Sequence, residues 1–180
     1  MPIRAVLFDV GDTLWHSAAA PPADVFRAKA AERAAAFLRE RDIQAGDPGL
    51  LARRCWTALE EAMRSARAGD RVEPAYGEVA RRAAADVGVA FSVEQAAQFM
   101  EAIYVSGAEG GKVAYDDARM MLEELRNRSF RLGIVTNRAF GGERFRGDLV
   151  AAGLDIGWDA VSVSVEVGYL KPHPAPFEHA

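Results

Sequence analysis

The sequence has little cysteine, no long apolar run and no excess of positive charge. Cys55 is its single cysteine, which excludes an intramolecular disulfide and favours a reducing compartment. No apolar run approaches the length of a membrane span, and no signal-peptide segment precedes the first predicted strand. A net charge of -4 argues against nucleic acid or an anionic membrane surface as the main partner. We therefore expect a cytoplasmic protein that binds neither nucleic acid nor a membrane.

Histidine is also scarce, and the remaining composition is that of an ordinary globular protein. The three histidines, His16, His173 and His179, fit no zinc-binding spacing, so we expect no metal bound by histidine. Of the 180 residues, 50% are hydrophobic and 27% are charged. This length and composition suit one domain with a sizeable insertion.

The stretch from residue 17 to residue 106 has the periodicity of helices. Apolar residues recur at helical spacing in four segments, near 24–41, 50–68, 74–88 and 93–103. Ser92 and Gln95 predict a capping box at the start of the fourth segment. A glycine-rich joint, 107–111, follows it. The pattern predicts a helical module, 17–106, inserted into a domain formed by 1–16 and 107–180.

The flanking segments predict a parallel sheet with helices between its strands. Apolar strand-like runs lie at 4–9, 130–135 and 160–164. Asp116 or Asp117 can cap a helix after the joint, and we expect Met120 and Met121 in the core. The last residues resemble the first turn of another helix.

Polar groups follow each of the three predicted strands or its exit loop. Asp9 ends the first strand, Thr136 and Asn137 end the second, and Lys171 follows the third. Right-handed crossovers place such strand ends along one edge of a parallel sheet, so these groups can converge. Each group alone also has an ordinary structural explanation, because Thr136-Asn137 can form a helix cap or turn and Lys171 can be a solvated surface lysine.

This set of groups suits phosphoryl transfer. A carboxylate can act as a nucleophile and pass through an aspartyl-phosphate. A hydroxyl and an amide can bind phosphoryl oxygens, an ammonium can offset their negative charge, and a divalent cation commonly assists.

Three segments resemble motifs of the haloacid dehalogenase-like hydrolase superfamily. They are residues 8–14, 134–137 and 168–174, which read FDVGDTL, IVTN and GYLKPHP. The resemblance covers essentially the whole chain. It implies an α/β fold, a Rossmann-like parallel sheet core with an inserted α-helical cap domain that closes over the site and selects the substrate.

The resemblance also implies a role for each motif residue. Asp9 would be the nucleophile and a ligand of Mg²⁺, and the Gly11 carbonyl would be a second Mg²⁺ ligand. Thr136 would bind the phosphoryl group, and Asn137 would line the substrate side of the pocket. Lys171 would hold Asp9 and the phosphoryl oxygens together.

The sequence departs from the family pattern at two places. Phosphatases of the family usually carry a second aspartate two positions after the nucleophile, where this chain has Gly11; Asp12, one position further, cannot be assumed to replace it. The loss of a general acid or base costs on the order of a hundredfold to ten-thousandfold in rate. The family's fourth motif, a strand that ends in acidic metal ligands, does not follow Lys171. We therefore expect a C-terminally incomplete copy of a longer enzyme, with an exposed strand edge beside Asp9 and little or no activity.

The sequence leaves three functions open. The first is a magnesium-dependent phosphatase that hydrolyses a small phosphorylated metabolite. The second is a 2-haloacid dehalogenase, in which the equivalent aspartate attacks carbon without a metal; Gly11 is compatible with it. The third is a catalytically weakened protein that binds a phosphorylated ligand or a partner.

Overall fold

A parallel sheet forms from the three predicted strands in the computed structural model, which describes residues 3–18 and 20–180. The strands are β1 (Ala5–Phe8), β2 (Trp15–His16), β3 (Val113–Ala114), β4 (Arg131–Thr136) and β5 (Ala160–Val163). The helices are α1 (Ala23–Glu40), α2 (Pro48–Ala68), α3 (Tyr76–Ala85), α4 (Val93–Ala102), α5 (Ala118–Asn127), α6 (Gly142–Ala151), α7 (Ser164–Val167) and α8 (Ala175–His179). The predicted α/β fold with a parallel sheet is confirmed.

The chain divides into two units, each with its own buried residues. The first unit contains the described residues up to Ala20, together with Arg71–Glu73 and Ser106–Ala180. The second contains Pro21–Asp70 and Pro74–Val105. The predicted insertion, 17–106, takes in the whole second unit, but its two ends (up to residue 20, and residue 106) and its residues 71–73 belong to the first.

The parallel sheet of the first unit has the strand order β1-β4-β5. Phe8 pairs with Ile134, and Thr136 pairs with Val163. Leu132, Ile134 and Val163 lie in the buried cluster that also contains Phe145 of α6. Buried apolar strands are typical of parallel sheets, which explains why these segments read as nearly continuous apolar runs.

Within the described residues β1 pairs with β4 alone, so β1 lies at an edge of the sheet. Its side chains alternate, and Phe8 packs against the buried cluster while Leu7 is 43% exposed. Ile3, just before the strand, is 76% exposed. The chain therefore presents an apolar strand edge beside Asp9.

The expectation that Met120 and Met121 lie in the core is wrong. Their side chains are 69% and 51% exposed, whereas Ala118 and Leu122 of the same helix are buried. Residues four positions apart share a helix face, so Ala118 and Leu122 form a narrow buried stripe that leaves both methionines outside it. Asp117 precedes α5, but its side chain makes no capping hydrogen bond.

The second unit is a helical bundle formed by α1–α4. Its core contains three aromatic rings, those of Phe37, Phe91 and Phe99, which contact one another at centroid distances of 5.3–6.1 Å. The predicted capping box is confirmed, because Ser92 accepts a hydrogen bond from the Gln95 N–H and the Gln95 side chain accepts one from the Ser92 N–H. No helix within the described residues is long and apolar enough to cross a membrane.

Two short pairings in the first unit were not predicted. β2 and β3 form an antiparallel pair, in which Trp15 lies opposite Ala114. Val72, from the middle of the predicted insertion, forms an antiparallel bridge with Tyr169. The first pairing directly follows one predicted motif and the second includes a residue of another, so they help to fix the loops that leave β1 and β5.

Candidate active site

Asp9 follows β1 directly and begins a tight turn. The Leu14 N–H donates to the Val10 carbonyl oxygen at 2.9 Å, and the Asp12 N–H donates to the Trp15 carbonyl oxygen at 2.8 Å. Val10 is fully buried, which anchors the turn in the core. The Asp9 side chain is 46% exposed, so its carboxylate is open to a ligand at the carboxyl edge of the sheet.

Lys171 brings its ammonium to the ends of two neighbouring strands. Its Nζ donates to Asp9 Oδ1 at 2.6 Å and to the Val135 carbonyl oxygen at 2.7 Å. The lysine side chain is 19% exposed. A charge-assisted hydrogen bond of this kind fixes the ammonium on the carboxylate and offsets its negative charge.

Asn137 contacts the backbone of the same lysine. Its Oδ1 accepts a hydrogen bond from the Lys171 N–H at 2.7 Å, and its Nδ2 donates to the Lys171 carbonyl oxygen at 3.4 Å. The amide therefore ties the end of β4 to the loop that carries Lys171. The role of Asn137 in substrate binding stays a prediction.

Thr136 is the last residue of β4 and is 4% exposed. It follows Val135, which accepts the Lys171 hydrogen bond, and the register of β1 and β4 places the two strand ends side by side. The structure thus brings Asp9, Asn137 and Lys171 into one chain of direct contacts, with Thr136 adjacent in the backbone. The predicted role of Thr136, phosphoryl binding, stays a prediction.

The oxygen atoms of Asp9 and Gly11 are the predicted ligands of Mg²⁺. The described residues contain no group of three or more histidine, cysteine, aspartate or glutamate side chains that could hold a metal ion. The space around Gly11 is open, since a Cβ there would meet no atom within 4 Å. Mg²⁺ commonly binds one or two carboxylates and completes its shell with water and substrate phosphate. The two oxygen donors fit such a partial site.

Asp12 is the carboxylate that follows Gly11 in the turn. It has a positive φ of 56° and is close enough to Lys112 to act on it electrostatically. The pKa of Lys112 lies below its usual value because burial and then Arg138 disfavour its charge, while Asp148 and Asp12 oppose this effect. The ammonium lies 5.2 Å from the centre of the Trp15 ring.

Arg138 and Asp148 form a second ion pair, which sequence reasoning missed. The guanidinium donates to Asp148 Oδ2 at 2.7 Å, and the Gly107 N–H donates to Asp148 Oδ1 at 2.7 Å. Arg138 follows Asn137 directly, so its position just after a predicted strand was the feature of the sequence that could have indicated a role near the site. Asp148, on α6, reads in the sequence as an ordinary polar residue on a helix.

Cys55, in the helical unit, is not a candidate nucleophile. Burial raises the pKa of its thiol to about 12, so the reactive thiolate is scarce at neutral pH. Cys55 is a fully buried, packed side chain.

Comparisons with known proteins agree on the fold. Among solved structures, the chain is similar to the magnesium-bound HAD-hydrolase YfnB from Bacillus subtilis, with 19% identity, a TM-score of 0.55, and coverage of 99% of this chain and 72% of that chain. It is also similar to a 2-haloacid dehalogenase from Pseudomonas syringae pv. Tomato DC3000, with 21% identity, a TM-score of 0.56, and coverage of 98% and 70%. Comparison with curated proteins finds no match.

The family assignment comes from the sequence itself. The family model for haloacid dehalogenase-like hydrolases matches residues 3–180, which include Asp9, Thr136 and Lys171. The match spans nearly the whole chain, and the fold has the parallel sheet of the similar structures. The chain belongs to the haloacid dehalogenase-like hydrolase family.

Proposed function

We propose that this chain hydrolyses phosphate monoesters of small metabolites through a covalent intermediate on Asp9. The observation that carries the proposal is the contact of Lys171 Nζ with Asp9 Oδ1, at 2.6 Å, beside the end of β4. A carboxylate that is open to solvent and paired with an ammonium suits attack on an anionic phosphoryl group, because the ammonium offsets the repulsion between the two anions.

The proposed reaction has two displacement steps. The Asp9 oxygen that is not held by Lys171 attacks phosphorus, and the bond from phosphorus to the leaving alcohol oxygen breaks. Solvent supplies the proton to the alcohol, since Gly11 has no acidic side chain. Water then attacks phosphorus of the aspartyl-phosphate, loses a proton to solvent, and releases inorganic phosphate and the Asp9 carboxylate.

The residues around Asp9 have distinct tasks in this proposal. Lys171 orients the carboxylate and balances charge on the phosphoryl oxygens, and Thr136 offers a hydroxyl to one of those oxygens. Asp9 and Gly11 would hold Mg²⁺, which when bound offsets the negative charge of the phosphoryl group. The helical unit would act as the cap that selects the substrate.

A 2-haloacid dehalogenase is the second candidate, and Gly11 is the observation that favours it. Displacement of a halide needs no proton for the leaving group, so the absence of an acid at position 11 costs that reaction nothing. Asp9 would attack the halogen-bearing carbon, expel halide and form an ester. Water would then attack the Asp9 carbonyl carbon of that ester, and the bond from that carbon to the ester oxygen would break. The 2-hydroxy acid and the Asp9 carboxylate would be released, with one water proton passing to the new hydroxyl group and the other to solvent.

The destination of the water oxygen distinguishes the two reactions. We expect single turnover of p-nitrophenyl phosphate in ¹⁸O-water to label the released phosphate and leave Asp9 unlabelled, because water attacks phosphorus. Turnover of 2-chloropropionate would instead label the Asp9 carboxylate. Mass spectrometry of phosphate and of the Asp9 peptide gives both readings. Slow turnover is expected, so high enzyme concentration is needed.

Two controls complete this experiment. Asp9→Asn removes the nucleophile and should abolish phosphate release, and a chelator should abolish it too. Phosphate release that persists in Asp9→Asn contradicts the covalent mechanism. Halide release that survives a chelator, with label in Asp9, replaces the phosphatase proposal by the dehalogenase.

A further inference from the structure

The segment Arg71–Glu73 pairs with the loop that carries Lys171. The Glu73 N–H donates to the Gly168 carbonyl oxygen at 2.9 Å, and the Leu170 N–H donates to the Arg71 carbonyl oxygen at 2.8 Å. Val72 lies opposite Tyr169, between these two hydrogen bonds. This is the spacing of an antiparallel pair, and it fixes the loop up to the residue before Lys171.

The backbone of both partners is in an unusual conformation. Arg71 has a φ of 66°, and Gly168 has a φ of 84°. The left-handed region is unfavourable for a residue with a Cβ, whereas glycine adopts it freely. Arg71 therefore keeps a costly conformation in the pairing that presents its carbonyl oxygen to Leu170.

The backbone at Lys171 is held by two sets of contacts. The preceding residue, Leu170, is fully buried and bonded to Arg71, and the Lys171 N–H donates to Asn137 Oδ1. With its backbone fixed in this way, the side chain reaches Asp9 and the Val135 carbonyl oxygen. The segment 71–73 and Asn137 thus both hold the main chain next to this lysine.

We propose that Arg71–Glu73 is a positioning segment, which keeps the Lys171 ammonium on the Asp9 carboxylate by fixing the loop before it. The kinetic consequence of this inference rests on the proposed function, whereas its structural consequence does not. In the sequence the segment lies far from all three family motifs, between α2 and α3, so no motif includes it.

Glu73→Pro tests the pairing, because proline removes the N–H that bonds to Gly168. The chain has three lysines, Lys29, Lys112 and Lys171, so trace acylation followed by mass spectrometry reads Lys171 against two internal references. One backbone hydrogen bond contributes about 0.5–1.5 kcal/mol, so we expect Lys171 to be acylated about three- to tenfold faster in the variant. With a phosphate ester, kcat should fall by a similar factor and KM should change less than twofold.

Glu73→Ala is the matched control, because it removes the same side chain and keeps the N–H. We expect its Lys171 acylation rate to stay within about twofold of the unchanged chain. Equal acceleration in both variants assigns the effect to the glutamate side chain and overturns the inference. Unchanged acylation in a folded Glu73→Pro variant overturns it as well.

A cross-link provides a rescue that a purely structural role would not give. Val72 and Tyr169 lie opposite each other as a non-hydrogen-bonded pair, and the Cα separation typical of such pairs falls within the range of disulfides. Val72→Cys with Tyr169→Cys, added to Glu73→Pro, should return Lys171 acylation to its slow rate on oxidation and not on reduction. If Glu73→Pro does not fold, the two cysteines in the otherwise unchanged chain serve instead, and oxidation that leaves Lys171 acylation unslowed overturns the inference.

The acylation readout needs no substrate, so the two proposals fail separately. Faster Lys171 acylation without any phosphate release supports the positioning segment and contradicts the phosphatase. Phosphate release together with unchanged Lys171 acylation supports the phosphatase and contradicts the positioning segment.

Discussion

Asp148 is a buried carboxylate on α6 of the first unit. It is 3% exposed, and its two carboxylate oxygens accept hydrogen bonds from Arg138 and from the Gly107 backbone. Gly107 leaves room for it, since a Cβ there would lie 3.1 Å from Asp148 Cγ. The pair therefore joins α6, the end of β4 and the chain as it leaves the helical unit.

Asp148→Asn should destabilise the protein by about 3 kcal/mol, because it leaves the Arg138 guanidinium without its carboxylate partner in a largely buried place. Chemical denaturation measures this change. Glu123→Gln is the control, since Glu123 pairs with Arg119 at 2.8 Å with both side chains more than half exposed. That change should cost less than about 1 kcal/mol. Equal costs would contradict the distinction between a buried pair and an exposed one.

At the scale of the element, Asp159 fixes the start of β4. Its Oδ2 accepts hydrogen bonds from the Leu132 N–H at 2.8 Å and from Arg126 at 2.6 Å. The Leu132 hydrogen bond and then Arg126 hold the pKa of the Asp159 carboxyl below its usual value. A lowered pKa means that the folded state binds the proton less readily than the unfolded state does.

The stability contributed by Asp159 should therefore be present above the pKa of the unfolded chain, near 4, and be lost as the pH falls through the lowered folded value. We expect Asp159→Asn to have a lower free energy of unfolding than the unchanged chain at pH 7. The difference between the two should shrink in acid. Urea denaturation at several pH values measures this. Asp155→Asn, an exposed neighbour in the sequence, is the control. A difference that stays constant with pH would contradict the prediction.

Elements with local signals could be predicted from the sequence, and short pairings could not. β4 reads as a buried apolar run, and α4 has both its capping box and its stripe within ten residues. The apolar runs of β1 and β4 also predicted that Asp9 and Thr136 lie at the ends of strands. The pairing of Val72 with Tyr169 has no such signal, because a strand of two or three residues has no periodicity and its partner is far away in the sequence.

At the scale of the whole molecule, net charge and the exposed edge of the sheet both affect association between copies of the chain. The sequence has a pI of about 5.5, so the net charge of -4 disappears as the pH falls towards that value. Loss of net charge removes the repulsion between copies. β1 offers a strand edge with exposed Leu7, which can pair with another chain.

We expect self-association to be strongest near pH 5.5 and to be weakened by Leu7→Lys, because a charged residue blocks pairing at a strand edge. Light scattering as a function of pH measures this. Val25→Lys is matched to it, since it adds the same charge at a residue that is 39% exposed on α1. Equal effects of the two variants would show that net charge alone is responsible, and not the edge of β1.

The bridge between Val72 and Tyr169 constrains how the chain length can vary. α2 ends at Ala68, and three residues later the backbone must present the Arg71 carbonyl oxygen to Leu170. A single-residue insertion or deletion here would shift the register of this short pairing, so that the backbone groups of 71–73 that now bond to 168–170 would point away from them. Within the described residues, the turn between α1 and α2 has no such pairing to preserve. Insertions and deletions in related sequences should therefore be found in that turn and be rare between residues 69 and 73.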